Sequence, residues 1–131
     1  MQKAIFNIQN ETDFKRCALQ VFKHQFENNR VYRSFCDLLY IHPSEVKEVA
    51  QIPFLPIQFF KTHQVLSTNQ SVQETFSSSG TTGAQVSRHL VTDLSWYKTS
   101  YTKAFEHFYG PIEEFTVLGL LPNYLEREGA S

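Results

Sequence analysis

From Thr12 onward the apolar residues fall at Phe14, Cys17, Ala18, Val21, Phe22 and Phe26, the three-and-four spacing of one helix face. This predicts a helix to about Glu27, with Thr12 or Asp13 as its N-cap. The pair Asn28-Asn29 interrupts the pattern, and Val31, Phe35, Leu38 and Leu39 then define a second helical face ending near Tyr40 or Ile41 before His42-Pro43. Ser44 followed by Val46, Val49 and Ala50 predicts a short third helix that stops ahead of Pro53. Pro53 and Pro56 fix an extended run, and Phe54, Leu55, Ile57, Phe59 and Phe60 make it apolar enough to be expected across the core.

Beyond Gln58 the period changes. Val65 to Ser67 and Val72 to Phe76 suit short strands, and Val86 to Val91 alternates, with Val86, Arg88 and Leu90 on one side and Ser87, His89 and Val91 on the other. A hairpin follows, whose tip is the stretch between the last two strands. Thr92-Asp93 caps a further helix, with Leu94, Trp96, Tyr97, Tyr101, Ala104, Phe105 and Phe108 at its inward positions and Gly110-Pro111 at its end. The run Phe115 to Leu121 reads as a buried parallel strand ended by Pro122. Ligands gather at the carboxyl ends of such strands, which draws attention to Asn123, Tyr124, Glu126 and Arg127; a solvated loop is the alternative.

The hairpin tip stands apart chemically. Seven of the eight positions from Ser77 to Ala84 are Ser, Thr or Gly. Such a run packs nothing, yet Gly80 and Gly83 allow close backbone approach, and the surrounding hydroxyls donate hydrogen bonds without bulk. Successive N–H groups there suit an anion-binding nest. The same composition also suits a flexible connection.

Order favours the first use, because Ser78-Ser79-Gly80-Thr81-Thr82-Gly83 resembles the phosphate-binding loop of adenylate-forming enzymes, the acyl-CoA synthetase and luciferase superfamily. The superfamily loop often ends in a lysine a few residues beyond its last glycine. Here Ser87 holds that place and Arg88 is the candidate for the charge. Ile52-Pro53-Phe54-Leu55-Pro56-Ile57-Gln58-Phe59-Phe60-Lys61 resembles the entry segment of the phenylacetate-CoA ligase and LuxE-like branch, and Leu120 to Arg127 resembles the LPxYLER segment of LuxE-type acyl-protein synthetases.

This resemblance implies an α/β fold, α+β at the N-terminus: a helical segment over residues 1–51, then, over residues 52–131, part of the large ATP-binding domain of an adenylate-forming enzyme. It implies ATP and Mg²⁺, with Ser78, Ser79, Gly80, Thr81, Thr82, Gly83 and Arg88 around the phosphates. It also implies activation of a small carboxylic acid as an acyl-adenylate, handed to a protein thiol or, in the phenylacetate-CoA ligase-like alternative, to coenzyme A. The adenine pocket, the acidic metal ligand, a late lysine and most of the acyl pocket are expected outside this stretch. An N-terminal piece of a longer enzyme, inactive alone, is therefore the expectation. The remaining alternative is a non-catalytic domain that keeps the loop as a relic and covers its last strand with another chain.

With 131 residues, 41% hydrophobic and 15% aromatic, the chain has material for one modest core. A net charge of -1, without blocks of either sign, argues against nucleic-acid or polybasic membrane partners. No apolar run approaches the ~18 residues of a membrane span, and Met1 to Ile8 carries no secretory pattern. A cytoplasmic protein with reduced, buried Cys17 and Cys36 is expected, and neither cysteine has metal-type spacing. His24, the Lys61 and His63 pair, and His107 are read as structural.

Overall fold

The computed structural model describes residues 2–78 and 86–119. They form two compact units, one up to Asn69 and one from Gln70. Together they are helix-rich with one small sheet, a mixed α+β composition.

The first unit is built on α2 (Glu11–Asn28) and α3 (Arg30–Leu38), preceded by the single turn α1 (Gln2–Ile5) and followed by the short α4 (Phe59–Thr62). The N-cap of α2 is Asn10, earlier than the expected Thr12 or Asp13: its Oδ1 accepts the Asp13 N–H at 2.9 Å. An Asn in extended conformation satisfies that orphan donor better than Thr12 or Asp13 from inside the first turn.

Asn29 alone separates α2 from α3. Its N–H donates to the Gln25 carbonyl at 2.8 Å, closing α2, while its Oδ1 accepts the Tyr32 N–H at 3.1 Å, opening α3. Packing the two helices together buries Phe22, Phe26, Tyr32 and Cys36, with Val46 completing the core and Ile41, Ile52 and Leu55 against it. Phe22 and Tyr32 meet edge to face, with ring centroids 6.1 Å apart. α3 ends in a Schellman turn. Ile41 N–H reaches the Cys36 carbonyl at 3.0 Å and Tyr40 N–H the Asp37 carbonyl at 3.1 Å, which forces Tyr40 to φ 55°.

Several expectations change in this unit. Ser44 caps no helix; residues 43–45 form a turn, and a 3₁₀ turn at Val49–Gln51 follows, in which Gln51 Oε1 accepts the Lys47 and Glu48 N–H groups at 2.8 and 3.0 Å. The Pro53–Pro56 run is extended but not buried throughout: Ile52 and Leu55 face the core, whereas Phe54 is 77% exposed and Ile57 66%. Val65 to Ser67 form no strand.

The second unit contains the hairpin. β1 (Glu74–Ser77) pairs antiparallel with β2 (Arg88–Val91), placing Ser77 opposite Arg88 and Phe76 opposite His89. α5 (Leu94–Tyr109) follows, with Asp93 Oδ1 accepting the Trp96 N–H at 3.1 Å and Gly110 leaving the helix at φ 93°. The Leu94 N–H also reaches Gln73 Oε1 at 2.9 Å, tying the first turn of α5 to the approach of β1. Of the positions expected to point inward on α5, Tyr97, Tyr101 and Phe108 are exposed, although Tyr97 stacks on Phe76 with ring centroids 5.0 Å apart.

The expected strand from Phe115 to Leu121 is not formed over its described part. Residues 115–119 follow a 3₁₀ turn as irregular chain, with Val117 74% and Leu118 87% exposed. A parallel strand requires neighbours for its ladder, and residues 115–119 pair with neither strand of the described sheet.

Candidate functional site

Within the hairpin, alternation along the strands puts Thr75, Ser77, Arg88 and Leu90 on one face and Glu74, Phe76, His89 and Val91 on the other, beside α5. The ladder continues one step toward the tip. Ser78 N–H donates to the Ser87 carbonyl at 3.0 Å, and Ser87 N–H donates to Ser78 Oγ at 3.0 Å. These two bonds clamp the base of the Ser/Thr/Gly run.

Ser87, at the position where the resembled loops often carry lysine, is 7% exposed. A buried position just before β2 suits a small polar residue whose backbone is paired, and a lysine ammonium there would lose its hydration. The neighbouring Arg88 is exposed, and among the described residues it makes no ion pair. It borders a shallow groove of about 540 Å³ together with Val72, Gln73, Glu74, Thr75, Ser77 and Val86. Glu74 brings a carboxylate to the same groove, where one of its oxygens accepts the Thr75 N–H at 3.0 Å.

Of the sequence-predicted site residues, Ser78 and Arg88 are thus brought to the base of the loop. Ser79, Gly80, Thr81, Thr82 and Gly83 lie outside the described residues, as do Asn123, Tyr124, Glu126 and Arg127. Among the side chains read as structural, His24 and His63 make local contacts. His24 Nδ1 meets Asn28 Nδ2 at 3.2 Å, and His63 stacks on Phe59 at 5.0 Å while touching Thr62 Oγ1 at 2.8 Å. Among the described residues no cluster of His, Cys, Asp and Glu has the arrangement of a metal site.

A second feature lies in the helical unit, and sequence reasoning missed it. A cleft of about 580 Å³ opens beside α2, bordered by Phe14, Ala18, Val21 and Phe22 of that helix and by residues as distant as Ile5 and Val65. Its lining is drawn from scattered positions, so no local motif announces it. The nearest sequence signal was the apolar excess of residues 52–60. Cys17 borders the cleft at 5% exposure, and Cys36 is fully buried behind it; both are free thiols. Burial pushes the Cys36 thiol up, opposed by its hydrogen bond with the Tyr32 side chain, and burial likewise pushes the Tyr32 phenol up. Neither is a poised nucleophile.

The chain matches the family model of the LuxE acyl-protein synthetases over residues 4–119. It belongs to that family. A long-chain-fatty-acid–luciferin-component ligase of Photorhabdus luminescens is 31% identical over 70 residues, a stretch covering 53% of this chain and 60% of that relative. No solved structure matches the chain. The family match spans the helical unit and most of the second unit, hairpin strands included. None of the helices among the described residues is long and apolar enough to cross a membrane.

Proposed function

We propose that this LuxE-family chain is the N-terminal part of an ATP-dependent, AMP-forming acyl-protein synthetase, and that residues 78–88 hold the phosphates of ATP. Support comes chiefly from the hairpin: the Ser78 and Ser87 clamp lies at the base of a run composed as a phosphate nest, with Arg88 exposed beside it. The residues at that base fit an anion in two respects. Ser78 Oγ already accepts the Ser87 N–H, so its own proton remains to be donated. Arg88 makes no ion pair among the described residues and lends positive charge. Glu74 works against an anion in the groove, so the proposal has the phosphates on the loop side of Arg88.

In this reading a carboxylate attacks the α-phosphate of ATP, forming an acyl-adenylate and releasing pyrophosphate; a protein thiol then takes the acyl group as a thioester, with release of AMP and the thiol proton. The two reacting groups are both anions, so preset N–H and O–H donors and a cation lower the barrier more than any nucleophile supplied by this segment. Thr81 and Thr82 hydroxyls serve the β- and γ-phosphates, and Mg²⁺ accompanies the nucleotide and neutralises phosphate charge. The acid is a long-chain fatty acid, by analogy with the ligase relative. The large ATP-binding domain of the adenylate-forming enzymes is the architecture proposed for the whole protein, and the cytoplasm its compartment.

Calorimetric titration of Mg²⁺–ATP and of pyrophosphate into the chain tests this. Heat of binding that disappears in the Gly80→Ala, Gly83→Ala double variant, and weakens several-fold in Arg88→Gln, is expected. Equal heat in wild type and double variant would remove the loop from nucleotide binding.

A further inference from the structure

We propose that the cleft of the helical unit seats the alkyl chain of the acid substrate, leaving its carboxyl group outside. At about 580 Å³ the cleft lies within the ~300–1,000 Å³ range of small-molecule sites, and none of its bordering side chains is charged. Besides Cys17 and Ser67, its polar side chains are Gln25, Asn29 and Tyr32, which are engaged with one another or with backbone. Asn29 Nδ2 donates to Gln25 Oε1 at 3.1 Å, and the Tyr32 hydroxyl donates to the Pro53 carbonyl at 2.6 Å.

A carboxylate or phosphate drawn into such a cleft would lose its hydration and find no cation, a penalty of several kcal/mol by order of magnitude. A hydrocarbon loses nothing polar and gains about 0.8 kcal/mol for each buried methylene. The ligand chemistry that complements this lining is therefore a neutral alkyl chain. Large apolar side chains also remain in water around the cleft, with Phe14 53% and Phe54 77% exposed, as expected of a site whose occupant supplies the missing contacts. The identity of the occupant as the substrate's tail rests on the carboxylate-activating reading above. The cleft's preference for alkyl chains does not.

The test uses the full chain without nucleotide. Primary alcohols and carboxylates from eight to fourteen carbons, kept below their critical micelle concentrations, are titrated by displacement of a fluorescent fatty-acid probe. Affinity is expected to rise about fourfold per methylene until the cleft is filled, with alcohol and acid of equal length within a few-fold of each other. Ala18→Trp, which fills the cleft from the α2 side, is expected to weaken binding of the longest alcohol at least tenfold. Val65→Phe, at another position bordering the cleft, serves if Ala18→Trp does not fold.

Absence of chain-length dependence, a strong preference for the acid, or unchanged binding in a folded filling variant would each overturn the proposal. So would a stable dimer, seen by sedimentation, that the alcohols fail to dissociate, since a second copy would then be the occupant. The Gly80→Ala, Gly83→Ala variant separates the two readings. It should bind alcohols as the wild type does, whatever its effect on nucleotide.

Discussion

Asn29→Ala is the substitution that most directly probes how the helical unit is held together. The side chain, 4% exposed, acts in two directions: Oδ1 accepts the Tyr32 N–H at 3.1 Å and Nδ2 donates to Gln25 Oε1 at 3.1 Å. Replacing an N-cap Asn by Ala costs about 1 kcal/mol, and leaving a half-buried amide oxygen without its donor costs about 1 kcal/mol more. The sum, about 2 kcal/mol, corresponds to a fall of roughly 8–16 °C in the melting temperature of a unit this small. Asn29→Asp separates the two contributions, because it keeps the acceptor at the start of α3, where negative charge is favoured, and loses only the donor. It should cost about half as much.

Asn28→Ala supplies the control. Asn28 is exposed and its side chain reaches only His24, with Nδ2 to the His24 carbonyl at 2.8 Å, so the change should stay within about 0.5 kcal/mol. Because the chain has two compact units, the readout is residue-specific: hydrogen exchange of the Tyr32 amide, supported by urea unfolding followed by circular dichroism. If Asn29→Ala left Tyr32 protection unchanged, or Asn28→Ala cost as much, the reasoning that Asn29 joins α2 to α3 would fail.

Tyr40→Gly should stabilise the same unit by about 0.5–1 kcal/mol in urea unfolding, since the left-handed conformation at φ 55° costs a side-chain-bearing residue about 1–2 kcal/mol and glycine's larger unfolded entropy returns part of that. Hydrogen bonds from the Ser95 hydroxyl and the Trp96 N–H hold the Asp93 carboxyl below its ordinary value of 3.8. Its stabilising contribution is therefore complete above that value and lost as pH falls through the lower folded value, and Asp93→Asn should flatten the acid limb of α5 unfolding monitored by Trp96 fluorescence. Cys36 behaves oppositely: burial raises its thiol above 9.0, so the unfolded chain ionises first and stability falls as pH rises from about 9 toward the folded value. Cys36→Ala, although less stable at neutral pH, should show a shallower decline there. Alkylation of native wild type at pH 8 should be slow at Cys36.

Periodicity made α2, α5 and the hairpin legible, because a helix face or an alternating strand repeats its signal over many positions. What it could not reveal was the partner of each apolar face. Phe54, Ile57, Tyr97, Tyr101, Phe108, Val117 and Leu118 all read as core and all lie largely in water. Hydropathy marks a residue as able to be buried; burial needs a surface against it. The cap at Asn10 was missed for a smaller reason, since Asn10, Thr12 and Asp13 are all good N-caps and only the backbone angles choose among them. At the loop, the departure at Ser87 was visible in the sequence, but its cause was not. The clamp with Ser78 makes residue 87 a buried position just before β2.

The two candidate sites make opposite demands on their surroundings. An alkyl chain binds where water is displaced and no polar group is stranded, whereas phosphates bind where many donors stay hydrated or aimed at the charge. One lining cannot serve both, because polar groups that would hold a phosphate raise the cost of burying hydrocarbon, and an apolar lining penalises the anion. The sequence separates the chemistries accordingly. Positions bordering the cleft, between Ile5 and Ser67, carry no charge, while the hydroxyl- and glycine-rich run and Arg88 all fall beyond Ser77, within the second compact unit. On the proposed reading, a hydrocarbon tail and a nucleotide therefore call for two different linings, and the chain supplies one of each in separate stretches of sequence.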